Sequence, residues 1–245
     1  MCGRFGGRFW RFPGSGTLVF REISVFEVRG YENVRRELFP AALGCSGLRL
    51  SCSGILLKNS PHYYKKAHII IIKIAHTIKN TIASRVFSKV IVSSEDEEIL
   101  DYAKKFGAEP FKRNYSLSED TSTVVEVCTE VIKQHKDCEY FCCIYATAVK
   151  LQPKTISDSF LEFNRNSDCD FLMGVSSYKY PPQQALIENK SGTLELLNPQ
   201  FEAVQSQHFQ DCFVSNGTLY WSKTKVFLKE KTFYGSDLKP FVVPE

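Results

Sequence analysis

The chain lacks any apolar stretch of membrane-spanning length. Its longest aliphatic run, Ile69-Ile70-Ile71-Ile72, is the size of a β-strand, which excludes a transmembrane helix. Arg4, Arg8 and Arg11 are followed by no apolar block of signal-peptide type, so a cytoplasmic chain with no membrane partner is expected. An excess of one charge is also missing. The 31 basic and 27 acidic residues leave a net charge of +4, too mild to predict a nucleic-acid partner. Cysteine is present nine times, but no Cys-x-x-Cys pair and no Cys/His spacing of zinc type occurs. Cys142 and Cys143 are neighbours in an apolar run, so free, mostly buried thiols in a reducing compartment are expected.

Glycine is scarce after the first quarter of the chain: nine of the 14 lie in residues 1–54. Few segments there show a clean period. Met1–Pro13 is rich in Arg, Gly and Phe, a composition shared by RNA-binding tails and unstructured termini. Thr17–Val28 could form a strand and Tyr31–Leu38 a short helix. The break in composition near residue 68 predicts a domain over 69–245, truncated at its C-terminus. The preceding segment, 1–68, is expected to be atypical and poorly ordered.

Beyond His68, strand-like and helix-like runs alternate. Ile74, Ile78 and Ile82 share one helical face. Val90-Ile91-Val92 reads as a buried strand, and Ser94 with Glu97 as a capping box for a helix through about Phe106, stopped by Gly107. Thr123 with Glu126 is a second capping box, ahead of the stripe Val124, Val127, Cys128, Val131 and Ile132. Tyr140–Tyr145 and Phe171–Val175 read as strands, with Pro153 opening a helix that carries Ile156, Phe160 and Phe163. Asn189-Lys190-Ser191-Gly192 reads as the turn of a hairpin between Ala185–Glu188 and Thr193–Leu197. A short strand at Leu219–Trp221 and a helix over Lys223–Leu228 close the series. This alternation predicts an α/β fold: an open, mostly parallel sheet with helices on both faces and a small β-hairpin insertion. Ligands of such sheets bind beyond the carboxyl ends of the strands, which directs attention to Ser93–Asp96, Tyr145–Val149 and the loop before Leu219.

Those three places, in that order, resemble the acylneuraminate cytidylyltransferase family, and within it the pseudaminic acid branch. Val90–Ile99 is similar to that family's strand ending in a Ser/Thr/Asp loop. Cys142-Cys143-Ile144-Tyr145-Ala146-Thr147-Ala148 resembles the branch's strand and small-residue loop, with Ala146 where sialic acid enzymes usually have Pro. Phe171–Leu186 resembles the Phe/Pro-rich crossover, and Ser206-Gln207 a substrate loop. Asn216-Gly217-Thr218-Leu219-Tyr220-Trp221 combines the family's Asn/Ala-Gly turn with the branch's Tyr-Trp ending, and Pro240–Pro244 resembles the last strand.

The resemblance implies a Rossmann-like sheet of the nucleotide-diphospho-sugar transferase type. It also implies transfer of CMP from CTP to a nine-carbon keto-sugar acid with release of pyrophosphate, Mg²⁺ as cofactor, and a homodimer. By it, Ser93, Asp96, Tyr145, Thr147 and Ala148 lie on the nucleotide side. Gln183, Ser206, Gln207, Asn216 and Gly217 approach the sugar, pseudaminic acid being favoured and sialic acid next. It names no catalytic residue and no metal ligand in this chain.

The family's Gly-rich basic loop, of the form Pro-Ala-Arg-Gly-Gly-Ser-Lys, belongs shortly before Ile74. The residues there, Lys58–His68, contain no glycine, and only Lys58-Asn59 echoes the Lys-Asn pair beyond that loop. Gln205 stands where the branch usually offers Arg, a bidentate donor for carboxylates. Three readings remain open: an active CMP-sugar synthase, an impaired relic or module that binds nucleotide, sugar or a partner without turnover, and an RNA-binding protein whose affinity resides in residues 1–15.

Overall fold

A computed structural model describes residues 23–28, 61–117, 122–135, 138–165 and 169–244. Met1–Pro13, Tyr31–Leu38, Leu43–Gly54 and Lys58-Asn59 lie outside the described residues.

Seven strands form one sheet in the order β3-β2-β1-β4-β8-β5-β9. They are β1 (Ile23–Val28), β2 (Lys89–Ser94), β3 (Glu109–Lys112), β4 (Tyr140–Tyr145), β5 (Phe171–Ser177), β8 (Phe213–Lys223) and β9 (Leu238–Val242). A separate two-stranded hairpin, β6 (Leu186–Glu188) and β7 (Leu194–Leu196), turns at Asn189–Gly192 as its sequence predicts. Here Gly192 takes a φ of +79°, a backbone conformation that favours glycine. The helices are α1 (Pro61–Ala83), α2 (Glu97–Lys105), α3 (Val124–Gln134), α4 (Pro153–Arg165) and α5 (Thr224–Glu230).

The strands alternate their side chains between two cores. Val90, Val92, Cys142, Ile144, Leu172 and Trp221 pack with α1, α2 and α4 through Ile74, Ile78, Ile99, Ile156 and Phe160. Ile91, Phe141, Cys143, Phe171, Met173 and Tyr220 face the other way, against Val127, Cys128, Val131 and Phe227 of α3 and α5. Burial on both faces explains why these strands read as continuous apolar runs. The described cysteines are free thiols, all buried except the partly exposed Cys212.

Five of the seven strands, β2, β3, β4, β5 and β9, point the same way, as expected for this α/β class, but only the β2–β3 and β5–β9 ladders are parallel, because β1 and β8 run the other way between them. β8 is antiparallel to β4 and β5. β1 is antiparallel to both β2 and β4, pairing Ile23 with Ser93 on one side and with Tyr145 on the other. Without β1, strands β2 and β4 would stand about 10 Å apart with two open edges.

Two local expectations are corrected. Ile69–Ile72 is not a strand but part of α1. An apolar run this short fits either element, and the three-to-four-residue spacing carried on by Ile74 and Ile78 makes it helical. The cap of α2 is Asp96, not Ser94: Asp96 Oδ1 accepts from Glu98 N at 2.8 Å. Ser94 Oγ instead accepts from Asp96 N at 3.1 Å, just ahead of the helix.

The Thr123–Glu126 box forms in full. Thr123 Oγ1 accepts from Glu126 N at 3.2 Å, and Glu126 Oε2 accepts from Thr123 N at 2.7 Å. These bonds, the backbone one first, hold the Glu126 carboxyl below its ordinary range. A depressed carboxyl adds stability above its unfolded pKa and loses it as pH falls through the folded value. Thr123→Ala should therefore cost about 1 kcal/mol at neutral pH. The gap between the two melting curves should narrow in acid, where the bond from Thr123 Oγ1 to the Glu126 carboxylate is lost, and should not close, because Thr123 Oγ1 accepts from Glu126 N at any pH.

Candidate active site

The carboxyl ends of β2, β4, β5 and β9 and the start of β8 meet at one edge of the sheet, as the register pairs Ser177 with Phe213 and Val175 with Val242. A cleft of about 950 Å³ opens there. One wall is the loop after β4, with Thr147, Ala148, Val149, Lys150, Leu151, Gln152 and then Thr155 of α4; the other is Ser176, Asn216, Thr218, Val243 and Pro244.

Each wall is built by local chemistry. The β4 loop is a chain of tight turns, with Ala148 N donating to Tyr145 O at 2.9 Å and Leu151 N to Ala148 O at 3.0 Å. Helix α1 anchors it at both ends: Thr77 Oγ1 donates to Ala146 O and Asn80 Nδ2 to Leu151 O, each at 3.0 Å. The opposite wall is a bulge. Met173 pairs with Tyr220 and Val175 with Ser215, so Asn216, Gly217, Thr218 and Leu219 all stand opposite Gly174 alone. Thr218 Oγ1 donates to Asn216 Oδ1 at 2.6 Å, and Asn216 Nδ2 to Ser176 Oγ at 3.4 Å. A Cβ on Gly174 would lie 2.5 Å from Thr218 Oγ1. Gly217 turns at φ +64°, its Cβ direction 3.4 Å from the Tyr145 ring.

The structure gathers Thr147, Ala148 and Asn216 into the cleft lining, with Tyr145 and Gly217 packed beside it. Tyr145 stands edge-on to Tyr220, ring centroids 5.6 Å apart. Burial above all, then Tyr220 and the nearby Cys143, pushes its phenol well above the ordinary range, so it remains a hydroxyl donor at neutral pH.

Ser93 is fully buried near the end of β2, its Oγ without a partner among the described residues. It stands two strands from Tyr145, across β1. Asp96 is exposed and its carboxylate is occupied by the α2 cap. Gln183, Ser206 and Gln207 lie instead in the insertion between β5 and β8. Its neck is closed by Tyr178 N donating to Cys212 O at 3.1 Å. Gln183 Nε2 donates to Cys212 Sγ at 3.1 Å, while its buried Oε1 has no partner among the described residues. Ser206 Oγ donates to Gln184 Oε1, and Gln207 Nε2 to Gln205 Oε1.

Sequence reading missed Ser176, Thr218 and Lys150, which line the cleft. Arg113 follows β3, is 1% exposed and pairs with Glu95 at the same sheet edge. A Ser or Thr beside a glycine bulge is a signal that could have marked the first two. A second cleft, about 760 Å³ along α3, holds none of the candidate nucleotide- or sugar-binding residues.

Among the described residues no three His, Cys, Asp or Glu side chains gather to hold a metal ion, and the described cleft lining contains no carboxylate. Mg²⁺ binds through carboxylates and substrate phosphates. The described lining thus does not fit a protein-held Mg²⁺. Among the same residues no helix is long and apolar enough to cross a membrane.

Residues 74–209 match the family described as cytidylyltransferase. A pseudaminic acid cytidylyltransferase of Campylobacter jejuni is 30% identical over 176 residues, 70% of this chain and 75% of that protein. N-acylneuraminate cytidylyltransferase A of Danio rerio is 25% identical over 68% of this chain and 40% of its own. The solved CMP:2-keto-3-deoxy-manno-octonic acid synthetase, complexed with CTP, superposes with a TM-score of 0.52 at 11% identity. That match covers 70% of this chain and 78% of that one, and shows a shared fold. The sheet is thus a Rossmann-like one of the nucleotide-diphospho-sugar transferase type, and with more than half of its length matched the chain belongs to the cytidylyltransferase family, an enzyme family of nucleotidyltransferases.

Proposed function

We propose that the chain transfers CMP from CTP to the anomeric hydroxyl of a nonulosonic acid, with pseudaminic acid the preferred acceptor and sialic acid next. The observation that carries this reading is the 30% identity to pseudaminic acid cytidylyltransferase together with a cleft at the carboxyl ends of the strands. In the reaction the sugar hydroxyl oxygen bonds to the α-phosphorus of CTP. The bond from that phosphorus to the α,β-bridging oxygen breaks, pyrophosphate departs and the hydroxyl proton is released. The chain's part is positioning and charge stabilisation. Thr147, Ser176, Asn216 and Thr218 supply hydroxyl and amide groups suited to a polyhydroxylated ligand, and the glycines at 174 and 217 let backbone and ligand approach. Ser93, Tyr145, Thr147 and Ala148 are assigned to the nucleotide side, as is Asp96, which caps α2 just beyond the end of β2. Gln183, Ser206 and Gln207 are assigned to sugar recognition from the insertion, and Asn216 and Gly217 from the bulge.

The test is pyrophosphate release from CTP and Mg²⁺, with pseudaminic acid and N-acetylneuraminic acid offered separately. Turnover with pseudaminic acid supports the reading. CTP binding by folded protein without turnover on either sugar supports a non-catalytic module.

The reading extends to a homodimer joined through the insertion. Leu186, Leu194 and Leu197 stand exposed on and beside the hairpin, at 57%, 68% and 52%, and apolar groups so clustered mark an interaction surface. Leu186→Asp with Leu194→Asp should convert a dimer to a monomer in sedimentation. An unchanged mass would remove the hairpin from the interface.

A further inference from the structure

We propose that Lys150 recognises the carboxylate of the acceptor sugar. This rests on the CMP-transfer reading above and adds to it a residue that decides which acceptors the cleft takes.

Lys150 is the only charged side chain in the described lining of the cleft. No carboxylate accompanies it there, and among the described residues it forms no ion pair. An exposed lysine is usually a solvated one. Here, however, its backbone is fixed. Its carbonyl accepts from Gln152 Nε2 at 3.3 Å, and Asn80 holds the next residue through Leu151 O. The cation therefore stands on a braced loop rather than a mobile one. The opposite wall is neutral and polar: Ser176, Asn216 and Thr218 are tied into one hydrogen-bonded row. A neutral row of hydroxyl and amide groups sharing one cleft with a single lysine matches a ligand with many hydroxyls and one negative charge. That is the composition of a sugar acid. A triphosphate, with several charges, calls for several cations, and the described cleft offers one.

The discriminating probe is the acid against its methyl ester, which removes the charge and leaves the sugar intact. KM for pseudaminic acid and for its methyl ester, and KM for CTP, would be measured for the wild type, Lys150→Ala, Lys150→Arg and Lys150→Glu. The wild type should prefer the acid by about tenfold, the worth of a charge-assisted hydrogen bond. Lys150→Ala should lose that preference with its KM for CTP unchanged. Lys150→Arg should keep part of it, and Lys150→Glu should favour the ester. Because Lys150 is exposed, all variants should melt with the wild type, so a loss of preference is not a loss of fold. Two results overturn the proposal: Lys150→Ala that still prefers the acid, or a variant whose defect appears in KM for CTP instead. A wild type that uses neither acid nor ester defeats the functional reading itself, and that outcome is seen before any variant is made.

Discussion

Trp221→Ala is expected to lower the free energy of unfolding by about 3–5 kcal/mol. Trp221 sits in β8, an interior strand between β4 and β5, and is fully buried. Its ring stacks on Phe87 at 5.3 Å and on Phe163 at 5.9 Å, and tilts against Phe160 at 5.1 Å. Removing it leaves a void lined by three aromatic rings that α4 and the segment before β2 cannot close together. Its Nε1 also donates to Ser159 Oγ at 2.9 Å, a bond inside the core. Trp221→Phe keeps an aromatic ring and loses that bond and part of the volume, and should cost less, about 1–2 kcal/mol. A domain of this kind holds about 5–15 kcal/mol in all, so the alanine variant gives up a large fraction of it. Guanidinium unfolding measures both. An alanine variant within about 1 kcal/mol of the wild type, on the order of one lost hydrogen bond, would mean that the cluster repacks.

Gly174→Ala should have the largest effect on the cleft. The new methyl carbon would be 2.5 Å from Thr218 Oγ1, 3.2 Å from Val243 Cγ2 and 3.3 Å from Asn216 Oδ1. Thr218 would have to turn away, breaking its 2.6 Å bond to Asn216 and releasing the amide that faces Ser176. Overpacking of this sort costs about 1–3 kcal/mol in stability. The larger consequence is positional. A wall displaced by about 1 Å can reduce turnover on the order of 100-fold. We expect CMP transfer to fall by that order while CTP binding, which the proposed function assigns to Ser93 and the β4 loop, changes little. Steady-state kinetics with a thermal melt separates the two. A melt that drops with kinetics intact would place the Asn216–Thr218 row outside the working site.

Much of the architecture is legible in the sequence because it is local. The Thr123–Glu126 box forms as written, since both partners lie within one helical turn. The Asn189–Gly192 turn and the apolar strand Tyr140–Tyr145 likewise arise from neighbouring residues. Features that depend on distant pairing are not legible. The reversed direction of β1 is set by ladders to β2 and β4, about 60 and 120 residues away. Ile69–Ile72 illustrates a different loss: four isoleucines carry no period of their own, and the spacing of Ile74 and Ile78 downstream decides the helix.

The same division runs through the site. Thr147, Ala148 and Asn216 are marked by short motifs at strand ends, and they meet in the cleft. Thr218 and Ser176 come into play only because β8 bulges against Gly174, a relation between segments about 40 residues apart. Asp96 shows how one residue serves two readings: an acidic residue at the end of β2 suggests a ligand, and its carboxylate caps a helix. Gln183, Ser206 and Gln207 sit in the insertion beyond the neck at Tyr178 and Cys212, outside the described lining of the cleft, a placement set by long-range pairing and not by their own short motifs.

Phosphorus NMR of the chain with CTP, Mg²⁺ and pseudaminic acid tests the central claim most directly. The account predicts that a phosphodiester signal of CMP-pseudaminic acid and the signal of pyrophosphate grow together in equal amounts as CTP declines. CTP left unchanged by folded protein, or hydrolysed without any sugar-linked phosphodiester, would contradict it.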